Sequence, residues 1–149
     1  MSKTKITVVP VSLDEAIAVH QGIPEFDATY TAENINRPDL DILHKNPYIT
    51  AAKIGGENAG YMISYDRSDV PDTMHIWLNG TSPQFRGQGV FSALLQDLEQ
   101  EAKKRREAHI TVMSNSAHFP GMIKALTASG FAVTEQNGNS VRFEKLIAI

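Results

Sequence analysis

Hydrophobic and polar residues recur along the first third of the chain with periods that predict one strand followed by two helices. Loose alternation over residues 5–9 predicts the strand. Ser12 and Glu15 have the spacing of a capping box, so a helix is expected over residues 13–20. A second helical segment is expected within residues 31–45.

The middle of the chain has the period-two pattern of strands. Residues 48–54 and 59–65 predict a hairpin around a glycine pair, and residues 73–80 predict a third strand. In this third strand, one predicted face carries Met74, Ile76 and Leu78, and the other carries His75, Trp77 and Asn79.

The last third returns to a helical period and then alternates. A long amphipathic helix is expected over residues 89–106, and a buried strand over 109–113. A helix beginning near Pro120 and the strands 131–135 and 140–146 complete the pattern. This order predicts a single α/β (α+β) domain over residues 1–149, in which about four helices flank a mixed, mostly antiparallel sheet of about seven strands.

Composition narrows the chemistry of this domain. The 149 residues are 42% hydrophobic and 21% charged, with a net charge of -3 and no cysteine. Disulfides, thiolate metal sites and a cysteine nucleophile are therefore excluded. The acidic balance argues against a nucleic-acid surface, and no apolar run approaches the length of a membrane span. The histidines show no metal-ligand spacing, so we predict that the protein binds no metal. We also predict a cytoplasmic protein without nucleic-acid or membrane partners.

The strongest candidate for function is the stretch of residues 84–95. Gly87 and Gly89 stand beside Arg86 and lead directly into the long helix. Glycine lets a ligand approach the backbone, and a helix start offers unpaired N–H groups and the positive end of the dipole. The stretch therefore predicts an anion site, for a phosphate or pyrophosphate. The alternative is a tight turn with no ligand.

Arg86-Gly87-Gln88-Gly89-Val90-Phe91 resembles the acyl-CoA signature Arg/Gln-x-x-Gly-x-Gly/Ala of the GNAT superfamily of N-acetyltransferases. Phe91 departs from that signature, which has Gly or Ala at its last position. The resemblance covers roughly residues 48–131 and implies a GNAT-like fold, with acetyl-CoA as acyl donor and an amine as acceptor. The segment 23–26, the Trp77 strand, Phe119 and Met122 further resemble a bacterial branch of GNAT-like proteins.

The resemblance implies which residues contact acetyl-CoA. Those at the end of the third strand, in the glycine-rich turn and around the following strand and helix are Leu78, Asn79, Thr81, Arg86, Gly87, Gln88, Gly89, Val90, Phe91, Ser92, Asn115, Phe119 and Met122. Main-chain N–H groups of the turn would hold the pyrophosphate, and the strand end would bond the pantetheine arm. For Asn115 the alternative is a capping or turn residue.

Acetyl transfer to a primary amine of a small molecule or peptide needs a base, and Glu25 and His75 are the candidates. A histidine with its ordinary pKa near 6.5 suits proton transfer. The alternatives are a solvated carboxylate for Glu25 and a half-buried strand residue for His75. Direct transfer in a ternary complex is expected, because no cysteine is available to form an acyl-enzyme. The superfamily commonly has a tyrosine in the helix before the final Gly-Phe, and this tyrosine acts as the general acid that protonates the leaving thiolate. This chain has Leu126 at that position.

Two other functions stay open from the sequence. One is a non-catalytic acyl-CoA-binding or sensing module on the same fold, which Leu126 favours. The other is a phosphate-binding or nucleotide-binding domain of another kind, which depends on the glycines alone. A P-loop Lys-Ser/Thr is absent from the sequence, which disfavours this last function. The resemblance also implies a homodimer.

Overall fold

One mixed sheet positions every other element. The computed structural model describes residues 5–23, 45–67, 69–117 and 119–147. Its strands are β1 (Thr7–Pro10), β2 (Tyr48–Ile54), β3 (Glu57–Asp66), β4 (Thr73–Thr81), β5 (His109–Asn115), β6 (Ala132–Asn137) and β7 (Ser140–Leu146). They lie in the order β1-β2-β3-β4-β5-β7-β6, and only β4 and β5 are parallel neighbours. The predicted mixed, mostly antiparallel sheet is confirmed.

Three α-helices lie within the described residues: α1 (Leu13–Gln21), α2 (Val90–Lys104) and α3 (Pro120–Ala128). The capping box forms as predicted, because the backbone N–H of Glu15 donates to Ser12 Oγ at 3.1 Å. The helix expected within residues 31–45 falls outside the described residues. None of the helices described is long and apolar enough to cross a membrane.

Apolar clusters lie on both faces of the sheet. Helix α2 buries Val90, Leu94, Leu95, Leu98 and Ala102. These side chains belong to the same cluster as Met74 and Ile76 of β4 and Val112 of β5. On the opposite face, α1 forms a second cluster with residues of β2, β3 and β4. Burial of this apolar surface is the main stabilising contribution to the fold.

Strand β4 contains a β-bulge at Trp77. Ile63 pairs with Leu78 and the next residue, Ser64, pairs with Ile76, so Trp77 is an extra residue opposite β3. An extra residue reverses the alternation of side chains. Leu78 accordingly lies in the layer under α1, opposite to Ile76. Placing Leu78 on the same face as Met74 and Ile76 was therefore wrong.

The two parallel strands separate at the same point. Pairing between β4 and β5 runs from Thr73 with His109 to Ile76 with Val112. Both strands continue further, β4 to Thr81 and β5 to Asn115, without further pairing to each other in the described part of the chain. Beyond Ile76, the β4 edge that faces β5 leaves main-chain N–H and C=O groups for another partner. We call this opening the β4–β5 gap.

Candidate functional site

The glycine-rich turn connects the end of β4 to α2. A short 3-10 turn, Pro83–Phe85, comes first, and Gly87 and Gly89 follow with φ of +78° and +88°. A side chain is strained at such positive φ values, so the backbone conformation favours glycine at both positions. A Cβ added at either position would meet no atom within 4 Å. The glycines therefore leave one side of the backbone open and accommodate no neighbouring protein group.

The start of α2 is suited to an anion. Gly89 is the N-cap and has no side chain with which to cap the helix. The first intrahelical bond runs from Ala93 N–H to the Gly89 carbonyl at 3.0 Å. The N–H groups of the first turn precede that bond and point out of the helix, where the dipole is positive. Arg86 is exposed immediately before the two glycines and adds positive charge.

A cavity of about 300 Å³ lies against this turn, and we call it the turn cavity. Its lining residues from β4, the turn and α2 are Thr81, Arg86, Gly87, Gly89, Val90, Phe91 and Ser92. All seven are predicted from the sequence. Gln88 is exposed in the turn but is not part of the lining. Ala125, Ala128 and Ser129 of the α3 region complete the wall, and sequence reasoning missed them. The positive helix start and Arg86 make the glycine side of this cavity suited to an anion such as a pyrophosphate.

The remaining predicted residues of β4 follow the β4–β5 gap. Leu78 is buried under α1, so only its main chain can face the gap. Asn79 pairs with Met62 and Thr81 pairs with Gly60. Both pairs come after the bulge, which directs their side chains to the α2 face. Placing Asn79 on the same face as His75 and Trp77 was therefore wrong. The gap therefore leads from the turn cavity back to the bulge.

Three other predicted residues lie outside the turn cavity. Asn115 Oδ1 accepts a hydrogen bond from Ala117 N–H at 2.9 Å, and the Asn115 carbonyl accepts one from Phe119 N–H at 2.8 Å. Phe119 is the residue before α3, and its carbonyl accepts a bond from Met122 N–H at 3.1 Å. Met122 packs against the apolar layer under α2. Asn115 thus has the turn geometry expected from its alternative interpretation.

His75 lies on the opposite face of the sheet, in a second cavity of about 220 Å³ that we call the sheet cavity. Its Nδ1 and Thr111 Oγ1 are 2.8 Å apart, and its ring lies 5.5 Å from that of Tyr65. Burial, together with the charges of Arg67 and Arg142, lowers the pKa of His75 to about 4. The imidazole is consequently neutral at pH 7 and a weaker base than an ordinary histidine.

The other two positions considered for proton transfer, Glu25 and Leu126, supply no titratable group that the structure describes. Glu25 lies outside the described residues. Leu126, at the position where the superfamily commonly has tyrosine, has no exposed surface and belongs to the apolar layer under α2. The hydroxyl next to it, on Thr127, donates to the Ile123 carbonyl at 2.9 Å. In this part of α3, the side chain of Leu126 thus packs in the core and the hydroxyl of Thr127 bonds the helix backbone.

Comparison with known sequences gives a family for this arrangement. Residues 15–131 match the acetyltransferase (GNAT) family. An L-2,4-diaminobutyric acid acetyltransferase of Methylotuvimicrobium alcaliphilum is 30% identical over 112 residues, which are 71% of this chain and 61% of that protein. The enzyme of the same description from Nocardia farcinica is 40% identical over 47 residues, which are 32% of this chain and 24% of that protein. The chain therefore matches less than two thirds of the length of either relative.

Solved structures share the whole fold at low sequence identity. The PaiA N-acetyltransferase of Thermoplasma acidophilum, solved in complex with coenzyme A, superposes with a TM-score of 0.74 at 14% identity, over 95% of this chain and 99% of that one. The ribosomal-protein-S18-alanine N-acetyltransferase of Escherichia coli superposes with a TM-score of 0.76 at 16% identity, over 97% and 96%. Because the sequence identities are this low, the structural similarity shows that the chains share a fold.

Proposed function

The chain belongs to the acetyltransferase (GNAT) family, and we propose that it transfers the acetyl group of acetyl-CoA to a primary amine of a small molecule or peptide. The observation that carries the proposal is the continuity of two features. The turn cavity lies at a positive helix start suited to a pyrophosphate, and the β4–β5 gap that begins beside it offers unpaired main-chain groups. A pantetheine arm that starts from a bound pyrophosphate requires this kind of path.

The residues of the turn fit acetyl-CoA. Main-chain N–H groups of Gly87, Gly89 and the first turn of α2 would hold the pyrophosphate, with Arg86 adding positive charge. Asn79 and the main chain of Leu78 and Thr81 would hydrogen-bond the arm as an added strand. Asn115, Phe119 and Met122 would flank the arm from the opposite side of the gap, as the family resemblance implies.

The chemistry needs few protein groups. The neutral amine nitrogen attacks the thioester carbonyl carbon, the C–S bond breaks, and the CoA thiolate leaves. The proton that the nitrogen loses as the amide forms passes to the thiolate, so that the products are the N-acetyl amide and CoA thiol. Glu25 and His75 stay the proposed bases. His75 is neutral at pH 7 and can accept a proton, although its low pKa makes it the weaker choice. With Leu126 buried, the thiolate would leave without a tyrosine acid from α3.

The two curated relatives suggest the first acceptor to try. Both are described as acetyltransferases of L-2,4-diaminobutyric acid, a small molecule with two primary amines. We propose diamino acids of this size as acceptors for this chain. The relatives disfavour the non-catalytic alternative, since both act on an amine.

A thiol-release assay with acetyl-CoA tests the proposal. The acceptor panel includes 2,4-diaminobutyrate, other diamino acids, simple diamines and short peptides. We expect acetyl-CoA consumption that depends on one of these amines. Saturable acetyl-CoA binding by calorimetry without turnover of any amine would support the sensing module. Thermal stabilisation by ATP but not by acetyl-CoA would support a nucleotide-binding domain.

Four further expectations stay predictions of the same proposal. The protein acts in the cytoplasm, where acetyl-CoA is available to it. It works without a metal and without nucleic-acid or membrane partners. It forms a homodimer, as the family resemblance implies.

A further inference from the structure

We infer that the sheet cavity binds a carboxylate of the acceptor, so that the preferred substrates are amino acids and not simple amines. This inference rests on the proposed function and adds the class of acceptor to it. The cavity is lined by three cations, Lys45, Arg67 and Arg142, from three separate parts of the chain. Nothing in the linear sequence groups these residues.

Two carboxylates, Asp66 and Asp69, line the cavity together with these cations, and both are already paired. Asp69 is held by Arg67, through Nε at 3.0 Å and Nη2 at 2.5 Å. Asp66 accepts hydrogen bonds from Asn46 Nδ2 at 2.7 Å and from Arg105 Nη1 at 3.1 Å. Arg105 is not part of the lining, so it compensates Asp66 from outside. Arg105 also bonds Glu101, through Nε at 2.8 Å, so Asp66 shares this cation. Within the described residues no ion pair joins Asp66 or Asp69 to Lys45 or Arg142, and the lining has one more cation than carboxylates.

Lys45 and Arg142 have only weak partners within the described residues. Lys45 Nζ lies 5.0 Å from the centroid of the Tyr65 ring, a cation–π contact. Arg142 Nη1 lies 3.7 Å from Glu135, and both of these side chains are about half exposed. An ion pair of that length at the surface contributes little. A bound carboxylate would give both cations a stronger partner, and Arg142 could bind it with two parallel bonds.

The field inside the cavity agrees with this assignment. His75 lies on the cavity wall. Burial is the largest cause of its lowered pKa, and Arg67, Arg142 and Lys45 lower that pKa further while Asp69 raises it. The charged groups around the His75 ring are therefore positive on balance. Such surroundings favour an anion.

The position of the cavity relates it to the β4–β5 gap. His75 and Thr111 form the last pair but one of the parallel strands, and Met113 is the first β5 residue beyond the pairing. All three line the sheet cavity. Trp77, where the gap begins, is two residues from His75, which is about 7 Å along a strand. A molecule with its carboxylate in the cavity would thus hold an amine a few bonds away near the inner end of the gap.

The test compares each amino acid with the amine that lacks only its carboxylate. The pairs are 2,4-diaminobutyrate with 1,3-diaminopropane, ornithine with putrescine, and lysine with cadaverine. In the wild type we expect a lower KM for the amino acid of the preferred pair. Arg142→Gln should raise that KM by about 10-fold or more, as expected for a lost charge-assisted bond. The KM for the matching diamine should stay the same, because the diamine has no carboxylate.

Two further variants control for charge and for fold. Arg106→Gln removes an equally charged, exposed residue outside the sheet cavity and should leave the KM values unchanged. Arg142→Lys keeps the charge and should restore part of the affinity. Equal KM values for the acid and the diamine, or equal effects of the two Gln variants, would overturn the inference while the proposed function stands.

A binding measurement keeps the two proposals separable. The CoA-loaded protein is titrated calorimetrically with the same amino acids, in the wild type and in Arg142→Gln. Binding that weakens in the variant supports the inference even where no acetyl transfer is detected. If no amino acid binds although other amines are acetylated, the inference and the diamino-acid acceptor both fail, and the proposed acetyl transfer to a primary amine stands.

Discussion

The glycine-rich turn allows a test in which backbone strain and ligand binding are separated. Gly89→Ala places a methyl group on a residue with φ of +88° and meets no neighbouring atom within 4 Å. Its cost to folding is therefore backbone strain alone, about 1–2 kcal/mol. Unfolding entropy is about 2.1 cal/mol/K per residue, which for 149 residues makes that cost a fall in Tm of about 3–6 °C.

Gly56→Ala is the matched control. Gly56 lies in the β2–β3 turn with φ of +83°, and a Cβ added there also meets no atom within 4 Å. It lines neither the turn cavity nor the sheet cavity. The two variants should thus lose nearly equal stability, which differential scanning calorimetry measures.

Only Gly89→Ala should lose affinity for CoA. The added methyl group lies at the N-cap, where we propose that the pyrophosphate approaches the backbone. Loss of one charge-assisted hydrogen bond costs about 1.5–3 kcal/mol, which is about 10- to 100-fold in Kd. Isothermal titration with CoA gives this number directly. If Gly89→Ala and Gly56→Ala both bind CoA as the wild type does, the turn is not the pyrophosphate site.

Two further predictions concern His75 and Leu126. Because the pKa of His75 is lowered from 6.5 to about 4, the unfolded chain binds the proton more strongly, and stability present above pH 6.5 is lost as pH falls toward 4. Between pH 7 and pH 5, protonation of His75 should lower the unfolding free energy of the wild type by about 2 kcal/mol, and His75→Gln should not show this part of the decrease. Urea denaturation at the two pH values measures the difference. An unchanged pH dependence in the variant would contradict the buried, neutral imidazole. Leu126→Tyr should lower Tm, because overpacking a filled core costs about 1–3 kcal/mol, and should not raise kcat in the thiol-release assay. A faster variant of unchanged Tm would show that this position faces the thiol after all.

Local chemistry made much of the fold predictable. The Ser12 cap and the glycine entry into α2 depend on residues close together in sequence, and both appear as expected. The apolar stripe of α2 also follows from its own period, with Leu94, Leu98 and Ala102 all buried. Elements that are determined by their neighbours in the chain can be predicted from the chain alone.

What the sequence could not predict depends on pairing between distant segments. Trp77 becomes a bulge only through its register with β3, and an alternating pattern contains no sign of it. Ser129 reaches the turn cavity because the fold places the end of α3 and the start of α2 around the same cavity. The cations of the sheet cavity come from positions 45, 67 and 142, which the sheet order brings to one face. Each of these features requires tertiary structure.

The bulge at Trp77 links the two cavities. Before it, His75 faces the sheet cavity, and after it, Thr81 faces the turn cavity on the opposite side of the sheet. Pairing with β5 ends immediately before it, at Ile76. One extra residue therefore accompanies both an opening through the sheet and a reversal of the side chains along β4. If acetyl-CoA lies in the turn cavity and the acceptor's carboxylate in the sheet cavity, the two substrates approach from opposite faces and meet in the gap between β4 and β5.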